Sequence, residues 1–123
     1  MSDNATQVGE ISQRTIDLLQ LDIEPGMPIY LGKSNILHMS RTHPQDYKTY
    51  KKRISEILEN PDYMGLNPKD DSIEYVKVID VDDKFVKIAV RVSDTNIYYV
   101  RTIYARDLTK LKKFVDKGHL QAY

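Results

Sequence analysis

Residues 72–104 read SIEYVKVIDVDDKFVKIAVRVSDTNIYYVRTIY, and this stretch decides the fold. Three runs within it, 72–80, 84–92 and 96–104, alternate apolar and polar residues and are rich in Val, Ile and Tyr, which strands favour. The connections VDD and SDT are short and polar, as turns between neighbouring strands are. The stretch therefore predicts three consecutive antiparallel strands, a β-meander.

The middle run has two different faces, because successive side chains of a strand point to opposite sides of the sheet. One face is a β-branched surface suited to packing against helices, made of Val86, Ile88, Val90 and Val92. The opposite face carries two cations, Lys87 and Arg91. We therefore predict one helix-covered face and one basic face on the same sheet.

The length of the SDT connection decides which face carries Arg101. A three-residue connection pairs Val92 with Asn96 and places Arg101 and Tyr99 beside the two cations of the middle strand. A connection of two or four residues places Arg101 behind the valines instead. Because burying an unpaired guanidinium is costly, we expect the first register. That register turns two neighbours toward the core, Thr102 and Tyr104.

Helical patterns occupy most of the first half of the chain. Ser12 and Ser34 are suitable N-caps, and Pro44 disfavours helical geometry at the residue before it. The apolar spacing predicts helices at about 12–24, 34–41, 45–59 and 105–118, with a short strand at 28–32. We expect a single α+β domain over residues 1–123, with residues 1–6 disordered. Its N-terminal helices pack on one face of a three- to four-stranded antiparallel β-meander, and a short basic helix ends it.

Composition narrows the function classes. The chain has 18 basic and 18 acidic residues, yet residues 84–123 carry nine basic and three acidic side chains, so a neutral protein can present a local basic surface. The absence of cysteine excludes disulfides, thiolate catalysis and Cys-based zinc sites. No stretch approaches the roughly 18 apolar residues of a membrane span. We expect a soluble cytoplasmic protein without membrane contact.

The segment LHMSRTH, residues 37–43, concentrates two histidines and an arginine before Pro44. Metal-free cleavage of RNA needs a base for the 2′-hydroxyl, an acid for the leaving 5′-oxygen and cations for the phosphorane. His38 and Arg41 are three residues apart and share a helix face, while Pro44 frees His43 from the helix. The segment is therefore either part of an RNA-cleaving site or only a polar helix end.

A zinc site at His38 and His43 is a weaker interpretation. Their five-residue offset across a proline is not the i, i+4 spacing of a helical metalloprotease motif, and no glutamate lies between them. We expect neither a bound metal nor a cofactor.

The order of motifs resembles a known family. The relevant segments are VGEISQRTIDLLQL (8–21), ILHMSRTHPQDYKTYKKRISEILENPDYMGLNP (36–68) and YYVRTIYA (98–105). They resemble the phage-associated branch of the barnase/EndoU/colicin/RelE-like nucleases, the BECR fold, over about residues 8–115. The resemblance implies helices that precede a four-stranded antiparallel sheet, with the fourth strand in PIYLG or DYMGLNP.

The resemblance also implies a metal-independent ribonuclease or toxin encoded by a phage or prophage, acting in the host cytoplasm. The implied site comprises His38, Arg41, His43, Arg101, Thr102 and Tyr104. To these we add the basic sheet face as a substrate-binding surface, with Lys87, Arg91 and Tyr99. One histidine would be the base, and the other histidine or Tyr104 the acid. The implied partners are RNA, with tRNA among the candidates, and a cognate inhibitor or host protein.

The alternative is a noncatalytic phage regulatory or interaction protein of the same fold, which the neutral net charge favours.

Overall fold

The protein is an α+β structure in a computed structural model that describes residues 5–93 and 95–123. Among these residues, seven strands form one mixed sheet. The strands are β1 (Thr6–Glu10), β2 (Pro28–Leu31), β3 (Tyr63–Leu66), β4 (Ile73–Ile79), β5 (Lys84–Val92), β6 (Tyr98–Asp107) and β7 (Gln121–Ala122). The helices are α1 (Gln13–Leu19), α2 (Lys33–Thr42), α3 (Pro44–Tyr50), α4 (Ile54–Glu59) and α5 (Leu111–Asp116).

The sheet order is β1-β2-β6-β5-β4-β3-β7. Every neighbouring pair is antiparallel except β2 and β6, which are parallel and pair only at Tyr98 and Tyr99 of β6. The expected sheet of three to four strands is wrong in size, because PIYLG and DYMGLNP both contribute strands and each end of the chain adds another. β1 begins at Thr6, which corrects the expected disorder there, and residues 1–4 lie outside the described residues.

Helix boundaries follow local capping chemistry. Ser12 caps α1 by accepting the Thr15 N–H, as expected. The residue before α2 is Gly32, not Ser34, and its N–H donates to the side chain of Asn35 at 2.9 Å. The single helix expected at 45–59 is interrupted by a 3₁₀ turn at Lys51–Arg53. Because such a turn is tighter than an α-helix, it changes the direction in which the following apolar residues of α4 point.

The larger of two hydrophobic clusters lies on one side of the sheet. The apolar face of β5 is buried as far as Val90 and packs with side chains from α2, α3 and α4, namely Met39, Tyr50, Ile54, Ile57 and Leu58. Val92, the last residue of the predicted apolar face, is 47% exposed, so the buried part of this face ends at Val90. On the other side, Leu111 and Phe114 of α5 cover Phe85 and Val76. The rest of that side, around Ala89 and Arg91, is only partly covered by the chain, and we call it the open face.

The register between β5 and β6 differs from the expected one. Val92 pairs with Tyr98 instead of Asn96, so five residues connect the strands, and Asp94 among them lies outside the described residues. A β-bulge follows, in which Val90 pairs with Val100 but Ala89 pairs with Thr102. Arg101 is the extra residue of the bulge, and this reverses the parity of every later residue of β6. Two residues expected to turn inward therefore lie on the open face, Thr102 and Tyr104.

None of the helices in the described part of the chain combines the length and the apolar character needed to cross a membrane.

Candidate active site

Ala89 lies at the centre of the open face. It pairs with Glu74 of β4 on one side and with Thr102 of β6 on the other, and cross-strand neighbours of this kind have Cβ atoms roughly 5 Å apart. Lys87 and Arg91 precede and follow it on the same face of β5. The small, partly exposed side chain of Ala89 thus lies among four longer polar side chains and forms the floor between them.

Glu74 and Lys87 form an ion pair beside this floor. Lys87 Nζ lies 3.5 Å from Glu74 Oε1, and the two residues are 6% and 8% exposed. The second carboxylate oxygen accepts a long hydrogen bond of 3.4 Å from Asn67 Nδ2. The ammonium also lies above the rings of Phe114 and Tyr104, 4.8 and 5.7 Å from their centroids. These contacts hold a carboxylate and a cation in defined positions beside Ala89.

His43 approaches the open face from the edge of β6. It is the last residue before Pro44 and has a non-helical φ of −139°, so the chain changes direction there. Its ring stacks on Tyr104 with 5.4 Å between centroids. The corner is held by Asp46, whose carboxylate accepts the Ala105 N–H at 3.0 Å on the part of β6 that β2 leaves unpaired. Pro44 and Asp46 thus position the His43 imidazole beside the sheet.

A pocket of about 320 Å³ lies farther along the same face. We call it the arginine pocket, and it is lined by Asn35, Arg91, Val92, Ser93, Tyr99 and Arg101. Two guanidinium groups in one small pocket suit an anion with several oxygen atoms, such as phosphate. Both arginines also act on the nearby Asp70 carboxyl. Hydrogen bonds from Ser72 are the main cause that lowers the pKa of this carboxyl, and the positive charges of Arg91 and Arg101 lower it further.

Seven of the sequence-predicted site residues therefore border the open face or the arginine pocket: His43, Lys87, Arg91, Tyr99, Arg101, Thr102 and Tyr104. His38 and Arg41 are exposed on α2. Neither lines the arginine pocket, and the imidazole stacked on Tyr104 is that of His43. Among the described residues, no side-chain contact links either of them to the residues around Ala89, so their part in the site stays a prediction.

Sequence reasoning missed Glu74 and Asn35. Glu74 occupies a polar position of a strand, and such positions usually face solvent. Its burial depends on Lys87, thirteen residues later, and on α5 covering the neighbouring part of the face. The alternation of side chains along β4 could have placed Glu74 on the basic face, because it puts Glu74 on the side of the sheet opposite Ile73 and Tyr75.

Among residues 5–93 and 95–123, no three His, Asp or Glu side chains lie close enough together to hold a metal ion.

Comparison with known proteins assigns the chain to a family. Residues 6–113 match the model of the family described as phage-Barnase-EndoU-ColicinE5/D-RelE like nuclease3, which is most of the chain and includes the whole open face. No curated protein and no solved structure matches the chain. The chain therefore belongs to the phage-Barnase-EndoU-ColicinE5/D-RelE like nuclease3 family.

Proposed function

We propose that the protein is a ribonuclease that cleaves RNA by transesterification without a metal ion. The observation that carries this proposal is the arrangement around Ala89, where a carboxylate and an imidazole lie on opposite sides of a floor that cations border. In-line displacement at phosphorus requires a base and an acid on opposite sides of the phosphate. The family supports the nuclease activity, and the choice of RNA rests on the chemistry of these groups.

In the proposed reaction, the ribose O2′ attacks phosphorus and the bond from phosphorus to O5′ breaks. Glu74 takes the proton from the 2′-hydroxyl, and His43 gives a proton to the departing O5′. The products are a 2′,3′-cyclic phosphate and a free 5′-hydroxyl. Tyr104, against which the His43 ring stacks, holds that ring in place and is the alternative acid. His38 and Arg41, exposed on α2, take no part in these proton transfers.

The cations stabilise the negative charge that develops on the phosphorane. Arg91 and Arg101 hold the phosphate oxygens, because a guanidinium donates two parallel hydrogen bonds and keeps its charge at any physiological pH. Lys87, whose Nζ lies 3.5 Å from Glu74 Oε1, adds positive charge at the floor. Thr102 donates a hydroxyl hydrogen bond from the opposite side of Ala89.

The proposal is tested by incubating purified protein with mixed RNA in excess EDTA. We expect cleavage with cyclic phosphate ends, a loss of at least about 100-fold in Glu74→Gln and in His43→Ala, and a much smaller effect in His38→Ala. His38→Ala is the matched control, because it removes the same side chain five residues away. Equal cleavage by the parent, His43→Ala and the His38→Ala/His43→Ala double variant would indicate a contaminating nuclease and refute the proposal.

A toxin role follows from the same proposal, with the bacterial cytoplasm as its site of action. Induced expression of the parent should arrest bacterial growth, whereas His43→Ala should not. If a cognate inhibitor exists, we expect it to cover the open face with acidic groups.

The balanced charge of 18 basic and 18 acidic residues favours one second candidate, a noncatalytic family member that binds RNA or a host protein. Tight RNA binding by the parent, without cleavage under any condition of the assay above, would identify it.

A further inference from the structure

Tyr99 forms one wall of the arginine pocket, and its ring lies close to two residues of the β2 segment. The Tyr30 ring lies 6.3 Å away at an angle of 48° between ring planes. The backbone of Gly32 also lies close, since a Cβ built there would be 3.6 Å from Tyr99 Cε1. Tyr99 nevertheless remains partly exposed, and it lines the pocket. The structure therefore presents a supported aromatic surface beside two guanidinium groups.

Asn35 forms another part of the wall, and its amide is oriented. Its Oδ1 accepts the Gly32 N–H at 2.9 Å, so this oxygen is engaged at the start of α2. The Nδ2 group is engaged in no hydrogen bond with any described residue, and Asn35 lines the pocket that Tyr99 borders. It is available to donate to a ligand atom with a lone pair. The pocket thus combines an aromatic face, an amide donor and two fixed cations.

We propose that the arginine pocket is a nucleotide subsite for single-stranded RNA. One unpaired nucleobase stacks on Tyr99, its adjacent phosphate lies between Arg91 and Arg101, and Asn35 donates to an acceptor on the base edge. The inference rests on the proposed function in one respect, that the open face binds RNA. A duplex does not fit this description, because its bases are stacked on each other and not available to an aromatic side chain.

The proposal is tested with a fluorescently labelled 2′-fluoro RNA oligonucleotide, which lacks the attacking hydroxyl and so is not cleaved by transesterification. Binding is measured by fluorescence anisotropy for the parent, Tyr99→Phe and Tyr99→Ala. Base stacking on an aromatic residue predicts that Tyr99→Ala binds about 10- to 100-fold more weakly, while Tyr99→Phe, the matched control with the same ring, stays close to the parent. Circular dichroism confirms that each variant is folded.

Two further probes separate stacking from general electrostatics. An oligonucleotide with abasic positions should bind the parent about as weakly as the complete oligonucleotide binds Tyr99→Ala. For the abasic oligonucleotide, Tyr99→Ala should bind with the same affinity as the parent. The double-stranded form should bind the parent more weakly than the single strand. Any of three results would overturn the subsite. Tyr99→Ala could weaken the binding of complete and abasic oligonucleotides equally, the parent could bind duplex and single strand with equal affinity, or the parent could bind neither. Base-dependent binding of this probe without cleavage of ordinary RNA would support the subsite while refuting the proposed catalysis.

Discussion

Removing one member of the Glu74–Lys87 ion pair should destabilise the protein far more than removing an exposed pair. Lys87→Met keeps most of the length of the side chain but leaves the Glu74 carboxylate without its cation. Both residues are more than nine-tenths buried, so water replaces the lost partner poorly. The matched control is Lys84→Met, which breaks the exposed pair between Lys84 and Asp107.

The magnitude follows from the geometry. At the 3.5 Å separation of Lys87 Nζ and Glu74 Oε1, the attraction is about 5 kcal/mol for an effective dielectric constant near 20. Desolvation of the two groups offsets part of this, and breaking a buried pair typically costs 3–5 kcal/mol, so we expect a loss of about 3 kcal/mol in the free energy of unfolding. For a chain of this size the midpoint of thermal unfolding should fall by roughly 10 °C.

Urea and thermal unfolding at pH 7 measure the effect. Lys84→Met should stay near the parent, although its Nζ–Oδ1 distance of 2.6 Å is shorter, because exposed pairs are screened by water. The double variant Glu74→Gln/Lys87→Met should be more stable than the sum of the two single losses predicts, since neither buried charge then remains. Strictly additive losses, or a Lys87→Met variant as stable as the parent, would refute the view that this pair is energetically coupled.

Four further substitutions test side-chain packing, backbone conformation and the ionisation of Tyr50. The Tyr75 hydroxyl is buried without a hydrogen-bond partner among the described residues, so Tyr75→Phe should raise the free energy of unfolding by about 1 kcal/mol in urea melts. Gly65→Ala should cost about 3 kcal/mol, because its Cβ would clash with the backbone oxygen of His119. Gly118→Ala, with open space but a φ of +77°, should cost only about 1 kcal/mol in the same assay. Burial and the hydrogen bond to Asp82 raise the pKa of Tyr50 to about 12. Stability should therefore be intact below pH 10 and fall between pH 10 and 12, where the unfolded chain ionises first, and Tyr50→Phe should flatten this decline.

Local pattern was sufficient for the three central strands and the cap of the first helix. Alternation at Val86, Ile88 and Val90 depends on neighbouring residues alone, and so does the Ser12 cap. Local pattern did not predict the β5–β6 register, because the bulge at Arg101 depends on how two whole strands align across a connection. The predicted exposure of Arg101 on the basic side came from the cost of burying it, and that argument holds in the observed register as well.

The sequence by itself determined the class of the fold, the family motifs and the inventory of histidine, arginine and tyrosine from which a site can be built. Only the tertiary structure decided which of these side chains meet. His43 lies on Tyr104 because Pro44 turns the chain and Asp46 binds the edge of β6. Glu74 faces Lys87 because two strands pair in one particular register. Side-chain periodicity is a local property of the chain, whereas the parallel pairing of β2 with β6, the bulge and the buried ion pair each depend on contacts between residues distant in sequence.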